Sequence, residues 1–324
     1  MFFRSRKGTT PRTDAAPPSR YFPTTVLCHT VDLDGLIPRV VDTDEENNDI
    51  KRLTPWIFEH TQIADDESFG GWPKERTEFR DVFYLLNTQF YDACDAGELA
   101  DALESAETVT LPRKNWKAPR REYFTHSMRS QGMLLRILME TIYYNLRDIM
   151  DGGPELHFPV SKFRQEYTIG GHRYSSSPDG AAIVGLPEAR IPVISFVGWY
   201  EKETWTEFLG EIVSIMLGQL AKNIDSAGLQ DQEVFAVGFY GRCIYIARGY
   251  FTSDLIARVH SKGCSDNETV NLDFTRGYDL RLKDDWLEGT RGLTRLLRYI
   301  LSGTARVGAI RSHVDHVTSS TRAV

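Results

Sequence analysis

The sequence predicts an α/β protein of the α+β kind: a central mixed sheet flanked by helices. Three observations carry this expectation. A long amphipathic stripe over residues 127–150 gives way to short apolar runs on either side of Gly170-Gly171. A second stripe, over 205–224, is followed by two more apolar runs separated by Gly241. The stripes have a helical period, whereas the runs are short and bounded by turn residues, as strands are.

Taken in order, residues 1–20 are rich in Arg, Thr, Pro and Ser and include Ala15-Ala16-Pro17-Pro18, the composition of a disordered tail. Residues 21–126 read as an irregular and helical N-terminal extension. Its first part, 21–75, mixes apolar stretches such as Thr25-Val26-Leu27 with the acidic run 42–49, so little regular structure is expected there. Trp56, Phe58 and Trp72 are available to pack this arm onto a core. Phe79, Val82, Phe83, Leu86, Phe90 and Ala93 then recur at three- and four-residue intervals, predicting a helix, and Leu99, Ala102 and Leu103 suggest a second, shorter one. A basic loop bounded by prolines follows, over 111–121.

Residues 127–303 are expected to form the core. Met128, Leu134, Leu135, Leu138, Ile142, Leu146 and Ile149 share one helix face, and Asp151-Gly152-Gly153-Pro154 ends that helix. Strands are expected over 163–169 and 173–176, joined at Gly170-Gly171 as a hairpin, and over 181–186 and 192–200. The second stripe carries Phe208, Leu209, Ile212, Ile215, Met216 and Leu220. Residues 234–240 and 243–248 form a hairpin, 270–274 a strand and 286–301 a last helix. Residues 304–324, rich in Ser, Thr, Arg and His, read as a flexible tail.

Bulk properties narrow the function classes. The chain has 324 residues, 41% hydrophobic and 26% charged, which is ordinary globular composition. Cys28, Cys94, Cys243 and Cys264 form no CxxC pair and match neither a disulfide framework nor a zinc spacing. They read as reduced thiols of an intracellular protein, cytoplasmic or nuclear. Arg4, Arg6 and Lys7 precede no apolar segment of a secretory signal, and no run is apolar enough to span a membrane, so no membrane partner is expected. The net charge of −7 argues against non-specific binding to nucleic acid, but leaves a local basic groove possible. Phosphate-loop, dinucleotide, kinase, HExxH and GxSxG signatures are absent from the sequence. No pattern indicates an oligomeric state.

The segment that carries chemistry is Ser175-Ser176-Ser177-Pro178-Asp179-Gly180, directly before an apolar strand. A carboxylate at a sheet edge, beside backbone that glycine leaves open, suits a hard cation such as Mg²⁺. Metal-dependent phosphodiester cleavage uses such a site, with a second carboxylate and a lysine, to lower the pKa of bound water and to stabilise charge on the phosphorus. Pro-Asp-Gly is equally a common turn, in which Asp179 serves only as a cap.

With these residues in view, the segment over about 127–250 resembles the PD-(D/E)XK nuclease superfamily. The resemblance lies in the helix–strand order, in Pro178-Asp179 at the second strand and in a third strand ending near Glu201-Lys202. Residues 211–223 and Gly238-Phe239-Tyr240-Gly241-Arg242 also look like fungal intracellular proteins of unassigned function. The nuclease resemblance implies a restriction-endonuclease-like αβββαβ core. It implies Asp179 and Glu201, with Glu140 of the preceding helix, as Mg²⁺ ligands, and Lys202 as support for the attacking water. Gln219 would match a glutamine that positions the site in some members.

The sequence departs from that pattern on the third strand. A carboxylate and a lysine two positions apart would share one face. The strand centre instead offers Val197-Gly198-Trp199, and Glu201 and Lys202 are adjacent, so a bulge after Tyr200 is needed to bring them together. Without it, Glu201, Lys202 and Glu203 read as a solvated loop and Glu140 as a solvent-facing residue. Arg113, Lys114, Lys117, Arg120 and Arg121, interleaved with Trp116, Tyr123 and Phe124, suit phosphate contact and base stacking. They equally suit an exposed linker that neutralises the acidic N-terminal part. Two functions are therefore expected: a Mg²⁺-dependent nuclease acting on DNA or RNA, or a catalytically inactive scaffold of the same fold that binds protein or nucleic acid.

Overall fold

The computed structural model describes residues 23–90, 106–111, 125–146, 154–160, 164–185, 190–199, 203–263 and 269–311. The described N-terminal elements are β1 (Pro23–Thr30), the one-turn helix α1 (Leu33–Leu36), α2 (Thr43–Arg52), the one-turn helices α3 (Ile57–His60) and α4 (Asp66–Phe69), α5 (Arg80–Phe90) and β2 (Ala106–Thr110). The middle runs α6 (Thr125–Asn145), β3 (Leu156–His157), the hairpin β4 (Gln165–Ile169) and β5 (His172–Ser176), β6 (Gly180–Val184), β7 (Ile191–Val197) and α7 (Trp205–Ala227). The chain continues through β8 (Gln232–Tyr240), β9 (Cys243–Phe251), α8 (Ser253–Lys262), β10 (Thr269–Phe274), β11 (Tyr278–Asp279) and α9 (Lys283–Leu301).

The molecule is α+β, with a large mixed sheet flanked by helices. Its strand order is β2-β1-β10-β9-β8-β7-β6-β3, with β11 paired to β9. Two neighbouring pairs are parallel, β1 with β10 and β7 with β8; the other pairs along the sheet are antiparallel. The β7–α7–β8 crossover is long enough to return the chain for a parallel pairing. The β4–β5 hairpin stands apart as a two-stranded sheet. Its turn is made by Gly170 and Gly171, both at positive φ, a backbone region that glycine enters without steric cost.

Strand alternation splits the core into two layers. Phe235, Val237 and Phe239 of β8 face one layer with α2, α5, α6 and α9, while Val234 and Ala236 face the other with α7 and the hairpin. Helix α7 is opened by a Thr204–Glu207 capping box and closed at Gly228. It lies so close to the hairpin that a Cβ on Gly218 would meet Gln165 Oε1 and Ser176 Oγ at 2.5 Å each. Stacked Tyr167 and Tyr174, with ring centroids 5.6 Å apart, and a 2.7 Å hydrogen bond between Tyr167 and Ser214 complete that contact.

The N-terminal part differs from expectation. Residues 23–69 hold a strand within the large sheet and four helices, not an irregular arm. The acidic run forms α2, and its Glu46 and Asp49 are buried against three arginines of α9. Arg295 binds Glu46 at 2.7 and 3.0 Å, Arg298 binds Asp49 at 2.8 Å, and Arg291 binds Glu46 at 3.1 Å. Read alone, the run looks solvated; its partners lie at the other end of the chain. Similarly, 304–311 is no flexible tail: Ala305, Val307, Ala309 and Ile310 are buried in the first layer. Helix α6 ends at Asn145, short of the expected 150. The expected short helix around Leu99 and the last residues, 312–324, lie outside the described residues.

Candidate functional site

The corner to which the sequence points lies at the carboxyl ends of the parallel strands β7 and β8, beside the start of β6. Open sheets of this kind offer crevices at such ends. Asp179 enters β6 through a backbone bond, its N–H donating to Phe196 O at 2.9 Å. Gly180 follows because the space beside it is taken: a Cβ there would sit 2.8 Å from the Phe196 ring and 3.2 Å from Pro159 O. The glycine of Pro178-Asp179-Gly180 is thus required by strand packing and not by a tight turn.

The Asp179 carboxylate is directed at the backbone of β7. Its Oδ2 accepts from Gly198 N–H at 2.7 Å. The neighbouring amide, Trp199 N–H, donates to Gln131 Oε1 of α6, also at 2.7 Å. Gly198 lies between the two side chains, since a Cβ on it would be 2.9 Å from Gln131 Oε1 and 3.1 Å from Asp179 Oδ2. Helix α6 reaches this corner through Gly132, whose added Cβ would stand 2.7 Å from Asp179 O. Asp179 and Gln131 together hold the two amides that follow β7, and two glycines make the approach sterically possible.

The third-strand register is set by pairs of Ile194 with Phe235 and Val197 with Gly238 on one side and Phe196 with Gly180 on the other. Val197 is fully buried in the α7 layer, so its position presents no polar group to the corner. Trp199 is buried against Tyr240, with ring centroids 5.6 Å apart, and its indole N–H donates to Glu203 O at 3.2 Å. Tyr240 also meets Trp205 at 5.4 Å and Phe208 at 5.1 Å, which gives the end of β8 an aromatic floor. Burial, then the nearby charges of Glu203 and Glu207, pushes the Tyr240 phenol above its ordinary pKa. Glu203 itself is buried, in contrast to the solvated loop expected for that run.

The other sequence-derived candidates separate from this corner. Glu140 is on α6, but eight residues beyond Gly132, a rise of about 12 Å along the helix, and it pairs with Arg136 at 3.3 Å. Gln219 is fully buried and engaged in holding α7 to β7: Ser195 Oγ donates to its Oε1 at 2.6 Å, and its Nε2 donates to Val193 O at 3.0 Å. Glu201 and Lys202 lie outside the described residues, as do Arg113, Lys114, Lys117, Arg120 and Arg121. Gln131 was not singled out from the sequence. Its signal is position: it is a polar residue in register with Leu134, Leu135 and Leu138 on the buried face of α6.

Asp179 is the single carboxylate that the described corner supplies from the expected set, and it is bound to a backbone amide. With Val197 in the core and Gln131 accepting from Trp199, these residues do not by themselves fit an Mg²⁺ site, which calls for several convergent oxygens. Among the described residues, no three His, Cys, Asp or Glu side chains form a metal-holding group. Cys28 and Cys243 are no better as nucleophiles, because burial pushes their thiols up to about 12 and about 11. No helix among the described residues is long and apolar enough to cross a membrane. No protein-family model matches the chain, and no match is found among curated proteins.

Proposed function

We propose that the chain carries a restriction-endonuclease-like core that serves as a binding scaffold instead of a catalyst. The observation that carries this reading is the engagement of Asp179 with Gly198 N–H, beside a Val197 buried at the position where the nuclease pattern wants a carboxylate. Topology supports the fold part of the reading. With the β4–β5 hairpin taken as an insertion, the order is α6, β3, β6, β7, α7, β8. The strands lie in that same sequence across the sheet, antiparallel until the final parallel pair.

The test is direct. Full-length protein incubated with Mg²⁺ or Mn²⁺ is expected to leave single- and double-stranded DNA and RNA intact, with Asp179→Ala indistinguishable from wild type. Asp179→Ala should instead lower stability by about 1.5–3 kcal/mol, the usual worth of a hydrogen bond to a charged group, as read by urea denaturation. Metal-dependent cleavage that disappears in Asp179→Ala would overturn the scaffold reading.

That outcome would favour a second reading, a Mg²⁺-dependent nuclease. One feature recommends it: Glu201 and Lys202 follow Trp199 within three positions of the sequence. As to what the scaffold binds, the basic loop points to nucleic acid before protein. Replacing Arg113, Lys114, Lys117, Arg120 and Arg121 by Gln should weaken binding to a labelled oligonucleotide by about one to two orders of magnitude and flatten its salt dependence. Fluorescence anisotropy across a salt series measures both. Wild type that binds no oligonucleotide would rule against nucleic acid as the partner of these residues.

A further inference from the structure

A cavity of about 540 Å³ opens on the α7 side of the sheet and shares no lining residue with the Asp179 corner. Leu217 and Ala221 of α7 form one wall, Ile169 of the hairpin another, and Leu255, Ile256 and Val259 of α8 the roof. The cavity is half open to solvent and mostly apolar along its walls. Its volume and its mostly apolar lining are those of a small-molecule pocket.

The roof is built unlike the other long helices. Helix α8 has no buried residue, although Leu255, Ile256 and Val259 pack against the second core layer. It is held at its ends. Ser253 N–H donates to Asp231 Oδ1 at 2.9 Å, and at the far end Gly170 N–H donates to Val259 O at 2.9 Å and Gly171 N–H to His260 O at 3.2 Å. A helix fastened at both ends, with Leu255, Ile256 and Val259 only partly buried, leaves room for a guest beneath it.

The rim limits the guest's chemistry. The described lining adds the charged residues Glu166, Asp225 and Arg173, with His260, and all four are exposed. Among the described lining residues, two carboxylates against one guanidinium do not favour an anionic headgroup, and the aromatic rings are those of Tyr167 and Phe251, both buried in the core layer, which do not make a cage for a quaternary ammonium. Polar groups at the mouth can still hydrogen-bond a hydroxyl. We propose that this cavity binds the hydrocarbon chain of an uncharged long-chain alcohol, with α8 as its roof and the hydroxyl at the Glu166–Arg173–Asp225 rim.

The experiment uses the full chain and Nile red as an uncharged reporter. Saturable Nile red binding is expected, displaced by tetradecanol and at least about tenfold less readily by tetradecanoate or tetradecyltrimethylammonium, whose charged heads resist desolvation. Leu217→Trp and Ala221→Phe fill the space and should weaken Nile red binding by about tenfold or more while circular dichroism stays that of wild type. Three results would each overturn the proposal: no saturable binding, undiminished binding in folded Leu217→Trp or Ala221→Phe, or tetradecanoate displacing as well as the alcohol. If both variants fail to fold, hydrogen exchange on wild type decides. Tetradecanol should slow the amides of α8 and of residues 169–171, and unchanged exchange there would sink the idea.

Discussion

Arg295→Ala is expected to destabilise the protein by about 3–5 kcal/mol, the range seen when one partner of a buried ion pair is removed. Arg295 and Glu46 are each almost wholly buried, with side chains 3% and 2% exposed. The variant leaves Glu46 in the interior with Arg291 as its remaining close hydrogen-bond donor. Chemical denaturation monitored by circular dichroism gives the number. Arg295→Met with Glu46→Leu should recover much of the loss, because it removes both of the deeply buried charges together, while Arg291 keeps Asn47 and Glu288 as partners. The same cluster predicts an acid response. Burial alone would raise the Glu46 pKa, but hydrogen bonds from Arg295 and Arg291 outweigh it and hold the carboxyl below its ordinary 4.5. A carboxyl depressed on folding contributes stability that is complete above its unfolded pKa. That contribution is lost as pH falls below about 4.5 and through the lower folded value. The wild type should therefore lose stability in that acid range more steeply than the double variant.

Trp286→Ala should cost about 3–5 kcal/mol as well, by the cavity it leaves. The Trp286 ring is fully buried. It stacks on Phe83 at 4.9 Å and meets Phe79 at 5.2 Å and Phe58 at 6.0 Å, and its indole N–H donates to Leu53 O at 3.1 Å. These partners come from the N-terminal part and Trp286 from α9. The substitution thus measures how firmly the two ends of the chain are joined. If 21–90 were a loosely attached arm, proteolysis would release it from wild type as readily as from Trp286→Ala. The expected result is that the arm resists cleavage in wild type and is released in the variant.

These two clusters also mark what the sequence could and could not express. Helices α6 and α7 and strands β6 to β9 were legible because each carries its own period: Leu134, Leu135, Leu138 and Ile142 repeat along one face, and residues 234–247 alternate between two layers. The acidic run 42–49 was not legible, since the residues that neutralise it lie 249 positions away. At the candidate site, Asp179 was visible as a carboxylate at a strand entry. One partner that the fold gives it, the backbone amide of Gly198, has no side chain to announce it. Gly132 and Gly198 give the same lesson from the opposite side: their function is to leave room, which becomes apparent only when the neighbouring segment is in place. Gln219 stood out only through the nuclease resemblance, as a glutamine that would position the site, whereas its hydrogen bonds go to β7.

The parallel pairing of β1 with β10 bears on how the molecule comes into being. Strand β1 runs beside β10 from Thr25 opposite Thr269 to Thr30 opposite Phe274. On a ribosome, β1 would emerge well before its neighbour β10, since Thr25 pairs with Thr269, 244 residues further along the chain. Contacts between such distant segments close slowly, because the intervening chain must first be ordered. In the interval β1 has one edge bare and β2 as its antiparallel neighbour, an edge open to pairing with another chain. Newly made protein should therefore pass through an aggregation-sensitive stage, one that a chaperone able to shield extended segments would shorten.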